Sequence, residues 1–391
     1  MKKKIAIIGS TGSIGETTLK IIDKDKKDYK IELLTTNKNF KKILTQVKKF
    51  KVKNLIIHDT ETFIKKKHFL ETKKINVYPS LIEFKKKYRS KLDYTMCSIS
   101  GIDGLESTLE IISLSKRIAI ANKESIICGW NLIKKKLRKY KTEFSPVDSE
   151  HFSISQLLQN VSHDKIKNVY ITASGGPFLN IKKDNMKNLT PRNAIKHPNW
   201  KMGKKISVDS ATLINKVFEL VEAKKIFNLS YSQLNIIIQP TSYVHSIVDF
   251  NNGTSEILIH PTSMEIPIYN SITSTKSFEN FSTNINMEKL NNLKFQKVDD
   301  YKFPIKNILK EIPKNDSLFE TILVSANDTL VELFLKKKIK FFQIYKILKK
   351  VLTLKEYKKY KVLKPQNLRQ IINLSKNVRL KTISLSVKSL S

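Results

Sequence analysis

The chain has 391 residues, 40% of them hydrophobic, and a formal net charge of +37. That length accommodates two or three domains with a sizeable core, and no apolar run approaches the roughly 18 to 20 residues of a membrane span. The charge raises nucleic-acid binding. However, the lysines come as short runs along the whole chain, such as Lys65 to Lys67, Lys134 to Lys136 and Lys336 to Lys338. Without one basic stripe interleaved with aromatics, solvated surface lysine is the expectation, with no specific nucleic-acid partner and no membrane.

The N-terminus begins basic, and its apolar run, Ile5 to Ile8, stops at Gly9. A signal peptide needs an apolar stretch of roughly 7 to 15 residues. This run therefore reads as a buried strand, and the protein is expected in the cytoplasm. Gly9-Ser-Thr-Gly12-Ser-Ile-Gly15 follows, and Ile14 to Ile22 reads as a helix. Glycines let the backbone turn tightly against a pyrophosphate, to which the helix N-terminus offers N–H groups and a positive dipole end. The spacing is a variant of the dinucleotide fingerprint, and its strand–loop–helix setting gives it weight.

The next strand, Ile31 to Thr35, leads into Thr36-Asn37-Lys38-Asn39. NAD sites usually carry an acid here for the ribose 2′-hydroxyl. Here there is none, and Lys38 suits a 2′-phosphate, hence NADP(H); one more surface lysine is the rival reading. Leu55 to His58, Ile75 to Tyr78, Tyr94 to Ile99 and Arg117 to Ala121 continue the strands. Their alternation with helical segments predicts a parallel doubly wound sheet. Cys97 and Cys128 form no framework, which fits a reducing compartment, and read as small buried residues.

Pro146-Val-Asp148-Ser149-Glu150-His151 carries two carboxylates two residues apart. On an extended segment they point the same way and repel unless a cation sits between them. Oxygen ligands without cysteine suit Mg²⁺ or Mn²⁺. Asp and Ser are also good helix caps, and on this segment alone the two readings stand level. Asn168 to Thr172 reads as a strand before Ser174-Gly175-Gly176-Pro177, a loop fit for an anion or a plain turn.

His197-Pro-Asn-Trp200-Lys-Met202-Gly203 reads as a loop. Trp200 and Met202 there are either packed as structure or part of a lid that excludes water. A helix is expected from Asp209, amphipathic over Ala211 to Phe227, with Asn215, Glu219 and Glu222 on one face. Glu219 could complete a three-carboxylate metal site. Ser210, Asn215 and Lys216 could hold a phosphate. Glu222 reads as a solvated helix acid.

Leu234 to Gln239, Tyr243 to Phe250 and Ser255 to His260 read as strands, the last two joined by a hairpin at Asn251-Asn252-Gly253. Phe278 to Asp300 is polar and weakly periodic, a linker. Ser317-x-x-Glu320 is a capping-box pattern. It opens a helix whose Phe319, Ile322, Leu323, Ala326, Leu330, Leu333 and Phe334 share a face. Helices from Phe341 and from Pro365 complete a small antiparallel bundle.

GSTGSIG at Gly9, ANKES at Ala121, PVDSEH at Pro146, ASGGPF at Ala173 and HPNWKMGKKISVDSATLINK at His197 occur in this order. With them the chain resembles the 1-deoxy-D-xylulose 5-phosphate reductoisomerase family over essentially its whole length. The resemblance implies an NADPH-dependent enzyme that rearranges and reduces 1-deoxy-D-xylulose 5-phosphate to 2-C-methyl-D-erythritol 4-phosphate, on the route to isoprenoid precursors. It implies a divalent metal (Mn²⁺, Mg²⁺ or Co²⁺) on Asp148, Glu150 and Glu219. Substrate contacts are implied at Lys123, Ser149, Glu150, Ser174, His197, Trp200, Ser210, Asn215, Lys216 and Glu219, with Lys123, Glu150 and His197 closest to the chemistry. NADPH contacts are implied at Thr11, Gly12, Ser13, Ile14, Asn37, Lys38, Asn39, Asn122, Glu124 and Gly203. A homodimer is implied as well.

The expected fold class is α/β. A Rossmann-like NADPH-binding domain spans 1–147, a central α+β catalytic and dimerisation domain 148–273, a linker 274–302 and a helical bundle 303–391. Three departures from the family stand out. Asn37 replaces a small residue, often glycine, and is expected to tolerate a left-handed backbone. Val217 replaces a helix glycine, and ASGG replaces GSGG. The rivals are another NADP-dependent dehydrogenase of a small phosphorylated or semialdehyde substrate, and a basic binding protein with a decayed site; the intact polar residues of the motifs speak against the second.

Overall fold

The structure is a computed structural model describing residues 2–181, 186, 189–200, 202–273 and 284–388. The chain divides into two compact units. The first comprises Met1–Ile126, Asn131–Asp148 and Met264–Phe281, the second Ile127–Trp130, Ser149–Ser263 and Ser282–Ser391.

The described strands of the first unit are β1 (Lys3–Ile8), β2 (Tyr29–Thr36), β3 (Asn54–Ile57), β4 (Asn76–Tyr78), β5 (Leu92–Cys97), β6 (Ser115–Ile120) and β7 (Glu143–Pro146). They form one sheet in the order β4-β3-β2-β1-β5-β6-β7, and each neighbouring pair is parallel. A parallel sheet covered on both faces needs continuous apolar strands, and Ile5, Ile7, Leu34, Leu55 and Ile57 are fully buried in its core. The strand order reverses between β1 and β5. Open α/β sheets bind ligands at that switch point, beyond the carboxyl ends of the strands, and the glycine loop leaves β1 there. Strand β7 escaped the sequence reading because it is a short edge of mixed polarity.

The helix Glu265–Thr273 also packs in this unit. Ile268, Tyr269 and Ile272 join the sheet core, and Ser271 Oγ lies 2.7 Å from Tyr94 Oη. The boundaries drawn from sequence assign this helix to the central region; its apolar face packs instead on a sheet built from the chain's beginning.

In the second unit, β8 (Ile166–Ala173), β9 (Leu234–Ile238), β10 (Val244–Phe250), β11 (Ser255–Ile259) and β12 (Gln296–Lys297) form a mixed sheet ordered β11-β10-β8-β9-β12. The β8–β9 pair is parallel and the other pairs are antiparallel. The hairpin between β10 and β11 turns at Gly253, with φ of 87°. Helices Ser149–Leu157 and Ile214–Phe227 pack on this sheet around Ile154, Val169, Leu220, Ala223 and Val248. Strand β12 and the helix Met287–Asn291 fall inside the expected linker, so that stretch is structured from 284 onward. Its residues 274–283 lie outside the described residues.

Helices Phe319–Leu335, Phe341–Leu352 and Leu368–Lys388 pack pairwise against one another. The capping box forms only in part. Glu320 Oε2 accepts from Ser317 N at 3.1 Å, but the Ser317 hydroxyl turns to the same carboxylate, and the helix starts at Phe319. Among the described residues no helix is long and apolar enough to cross a membrane.

Candidate active site

Glu150 is the second residue of the helix Ser149–Leu157, so the segment is not extended as one reading of the sequence required. Three bonds fix that helix start. Ser149 Oγ donates to Glu150 Oε2 at 2.5 Å, and Ser246 Oγ of β10 donates to the Glu150 carbonyl at 3.0 Å. The neighbouring His151 Nε2 meets the Glu219 carbonyl at 2.9 Å, joining this helix to Ile214–Phe227. The Glu150 and Glu219 carboxylates come within 4.8 Å of each other, 7% and 1% exposed.

Two buried carboxylates this close repel strongly and need a cation. Lys216 Nζ supplies it, donating to Glu150 Oε1 at 2.5 Å and to Glu219 Oε2 at 2.7 Å. Asn215 Nδ2 donates to the other Glu219 oxygen. The set is all oxygen, buried and carboxylate-rich, which fits a hard divalent cation such as Mg²⁺ or Mn²⁺. Asp148 directly precedes Ser149 in the chain and, in the first unit, accepts from Lys123 Nζ at 3.2 Å. Glu222 is not a solvated acid. It is 2% exposed, with Oε2 3.9 Å from His151 Nδ1.

The single helix expected from Asp209 is two, Lys204–Thr212 and Ile214–Phe227, broken at Leu213 with φ of 70°. A left-handed leucine costs about 1 to 2 kcal/mol, and complete burial of its side chain offsets this by about 1.5 to 3 kcal/mol. The break puts Ser210 at the end of one helix and Asn215 and Lys216 in the first turn of the next, at the positive end of its dipole.

The Ser174 loop lies directly against this turn. A Cβ on Gly176 would sit 2.8 Å from the Ser210 carbonyl oxygen, and Gly176 has φ of 66°. Ser174 Oγ accepts from Gly176 N and lies 3.0 Å from His197 Nε2. His197 Nδ1 accepts from the backbone of Asn199 and Trp200, so the proton sits on Nε2 and is donated to Ser174. Burial first, and the Lys216 charge second, push the imidazole down to about 4. The loop is tied down further by Asn199 Nδ2, which donates to the Pro240 carbonyl at 2.6 Å and to Ser242 Oγ at 3.0 Å. Trp200 packs edge-on to His245. Gly203 caps Lys204–Thr212 with φ of −64° and open space where a Cβ would stand.

The glycine loop of the first unit is built for close approach. Gly9 has φ of 89°, and a Cβ on Gly15 would stand 2.5 Å from both Gly9 O and Ser10 Cα. Gly12 caps the helix Ser13–Lys24 with no side-chain bond, so the first amides, from Ser13 and Ile14 onward, are not taken by a capping side chain. Thr11 Oγ1 lies 3.1 Å from Thr36 Oγ1 at the end of β2.

Asn37 is not left-handed, so the tolerance expected of it is not called on. Asn39 caps the helix Phe40–Phe50 by accepting from Lys42 N. Lys38 pairs with Asp59 at 3.4 Å, whereas Lys42, which the sequence reading passed over, reaches the loop itself. Its Nζ donates to Thr11 O at 3.1 Å and to Glu16 Oε1 at 2.6 Å. The Asn39 cap was the available signal, because it puts residue 42 in a helix's first turn. Asn122 caps the helix Lys123–Tyr140 and donates to the carbonyls of Ile99 and Gly101, clamping the loop after β5. Glu124 is buried beside it in sequence. Cys97 is buried, which pushes its thiol up to about 12.

Family models for 1-deoxy-D-xylulose 5-phosphate reductoisomerase match residues 5–129, its C-terminal domain 144–227, and a further C-terminal domain 259–381. A 1-deoxy-D-xylulose 5-phosphate reductoisomerase of Pelagibacter ubique (strain HTCC1062) is 55% identical over 98% of this chain and 100% of its own. The chain belongs to the 1-deoxy-D-xylulose 5-phosphate reductoisomerase family.

Two solved reductoisomerase structures agree over the whole length. The Zymomonas mobilis enzyme in complex with NADPH superposes with a TM-score of 0.88 at 30% identity, covering 99% of each chain. A reductoisomerase in complex with NADPH, fosmidomycin and magnesium gives 0.91 at 30% identity, again over 99% of each chain. The reductoisomerase match takes in the C-terminal helices, which lie beyond the last of the quoted motifs. Val217, a departure from the family's glycine, is fully buried within its helix.

Proposed function

We propose that this chain converts 1-deoxy-D-xylulose 5-phosphate to 2-C-methyl-D-erythritol 4-phosphate with NADPH, in the cytoplasm, as a homodimer feeding isoprenoid precursor synthesis. The observation that carries this reading is Lys216, in the first helical turn after the Leu213 break, bridging buried Glu150 and Glu219.

Asp148, Glu150 and Glu219 would hold the divalent metal, which supplies Lewis-acid polarisation of a ketone and its neighbouring hydroxyl. Thr11 to Ile14, Asn37 to Asn39, Asn122, Glu124 and Gly203 would hold NADPH, which supplies the hydride that reduces the rearranged aldehyde; the position of Lys42 adds a cation to that set. Ser174, Ser210, Asn215 and Lys216 grip the phosphate, so that binding energy remote from the reacting carbons positions them. Lys216 then exchanges a carboxylate for a phosphate oxygen. Lys123 and Ser149 orient the sugar hydroxyls. His197, neutral and donating from Nε2, holds Ser174 in place and borders the substrate. Trp200 covers the site and excludes water. The residues at 1–147 other than Lys123 serve the nucleotide, those at 148–263 other than Gly203 the substrate and the dimer contact, and those at 303–391 support the substrate site through their helices.

A simple dehydrogenase would need no carboxylate cluster. Substrate-dependent NADPH oxidation that disappears on chelation supports the reductoisomerase reading; turnover that survives chelation supports the dehydrogenase.

A further inference from the structure

Asp209, the residue before Ser210, is 1% exposed, and both its oxygens are engaged. Oδ1 accepts from Asn327 Nδ2 at 2.8 Å, and Oδ2 faces Lys205 Nζ at 3.0 Å. Asn327 is fully buried in the middle of Phe319–Leu335, the C-terminal helix packed against Lys204–Thr212. The next residue, Asp328, pairs with the same Lys205 at 3.0 Å. Consecutive residues of one helix thus hold a buried carboxylate and its counter-ion on another.

A buried carboxylate costs several kcal/mol unless fully bonded, and an apolar pair would join the two helices as well. What the bonded pair adds is direction and register. The Asp209 carbonyl accepts from Thr212 Oγ1 at 3.1 Å, so the same residue anchors the turn leading into Leu213. On the other side Gly176 abuts the Ser210 carbonyl. Ser210 is therefore held between the Ser174 loop and the C-terminal helix.

We propose that Asn327 is a positioning residue for the phosphate grip: its amide, acting through Asp209, sets the direction of Ser210 and of the Leu213 turn that presents Asn215 and Lys216. The inference rests on reading Ser210 as a phosphate contact.

The test uses Asn327→Leu, which keeps the bulk and removes the donor, beside Ser210→Ala. The dissociation constant of 1-deoxy-D-xylulose 5-phosphate is measured by calorimetry with Mg²⁺ and without NADPH, and the NADPH constant separately. If Asn327→Leu does not fold, Asn327→Ser, whose hydroxyl stops short of Asp209, is read the same way. Both variants should bind substrate about tenfold more weakly, the scale of an unsatisfied buried polar group. NADPH affinity should stay unchanged, and in turnover KM should rise by a larger factor than kcat falls. Weaker substrate binding in Ser210→Ala with unchanged binding in the Asn327 variant overturns the inference and leaves the phosphate reading standing. Equal loss of NADPH affinity in the Asn327 variant also overturns it, as general loosening. Unchanged binding in Ser210→Ala sinks the phosphate reading and the inference together.

Discussion

Lys216 Nζ lies 2.5 Å from Glu150 Oε1 and shares its charge with Glu219. A single lysine between two buried carboxylates occupies the place a cation would be drawn to, and in the proposed function it turns to the substrate phosphate. Glu150→Gln removes one of the negative charges while keeping its size. The variant should lose about 100-fold or more in Mg²⁺- or Mn²⁺-dependent turnover, the upper end for disrupted metal-site partners, and bind NADPH as before. Full activity in this variant would show that Glu150 is not a ligand.

Gly15→Ala tests the nucleotide loop. The added methyl would stand 2.5 Å from Gly9 O and Ser10 Cα, both backbone atoms that cannot swing aside. Overpacking of this kind costs about 1 to 3 kcal/mol, and the loop should open and lose NADPH affinity. A fluorescence titration with NADPH reads this, and unchanged affinity would contradict the role given to Gly9 to Gly15.

Lys42→Met should weaken NADPH binding about tenfold, the scale of a charge-assisted hydrogen bond, because Lys42 reaches the Thr11 carbonyl at the loop. Lys38→Met should cost less, since Lys38 is the more exposed of the two and pairs with Asp59 rather than with the glycine loop. The two dissociation constants, measured side by side, decide between the lysines; a larger loss from Lys38→Met reverses the ranking.

His197 predicts a pH dependence. Its folded value is about 4, below the usual 6.5, so between those values the unfolded chain binds the extra proton. Stability from this group is complete above pH 6.5 and is lost as the pH falls toward 4. The ring resonances of His197 should pass their midpoint near 4, and His197→Gln should flatten part of the acid slope of Tm in that window. A midpoint near 6.5 would mean that the ring is solvated and not held between Ser174 and the Asn199–Trp200 backbone.

The parallel sheet was legible because runs such as Ile5 to Ile8 and Leu55 to Ile57 are apolar without interruption and short, which leaves strand as the economical reading. Part of the site was legible too, since Asn215 and Glu219 meet on one helix face as their spacing implied, whereas the Lys216 bridge to Glu150 joins segments far apart in the chain. What escaped depends on partners distant in sequence. Leu213 breaks the helix because burial offsets its backbone strain, which no helical periodicity reports. Glu222 is buried beside His151, which comes from a different helix. The helix Glu265–Thr273 joins the first unit because its apolar face fits the N-terminal sheet. Asn327 reads in sequence as an ordinary polar residue, and only the Asp209 bond gives it a role.

The most direct test of the account is NADPH oxidation by the purified full chain, with 1-deoxy-D-xylulose 5-phosphate and Mg²⁺ or Mn²⁺. The account predicts substrate-dependent oxidation that yields 2-C-methyl-D-erythritol 4-phosphate, stops on exhaustive chelation and returns when the metal is restored. Folded protein that binds NADPH yet gives no turnover, or turnover that continues after exhaustive chelation, would contradict it.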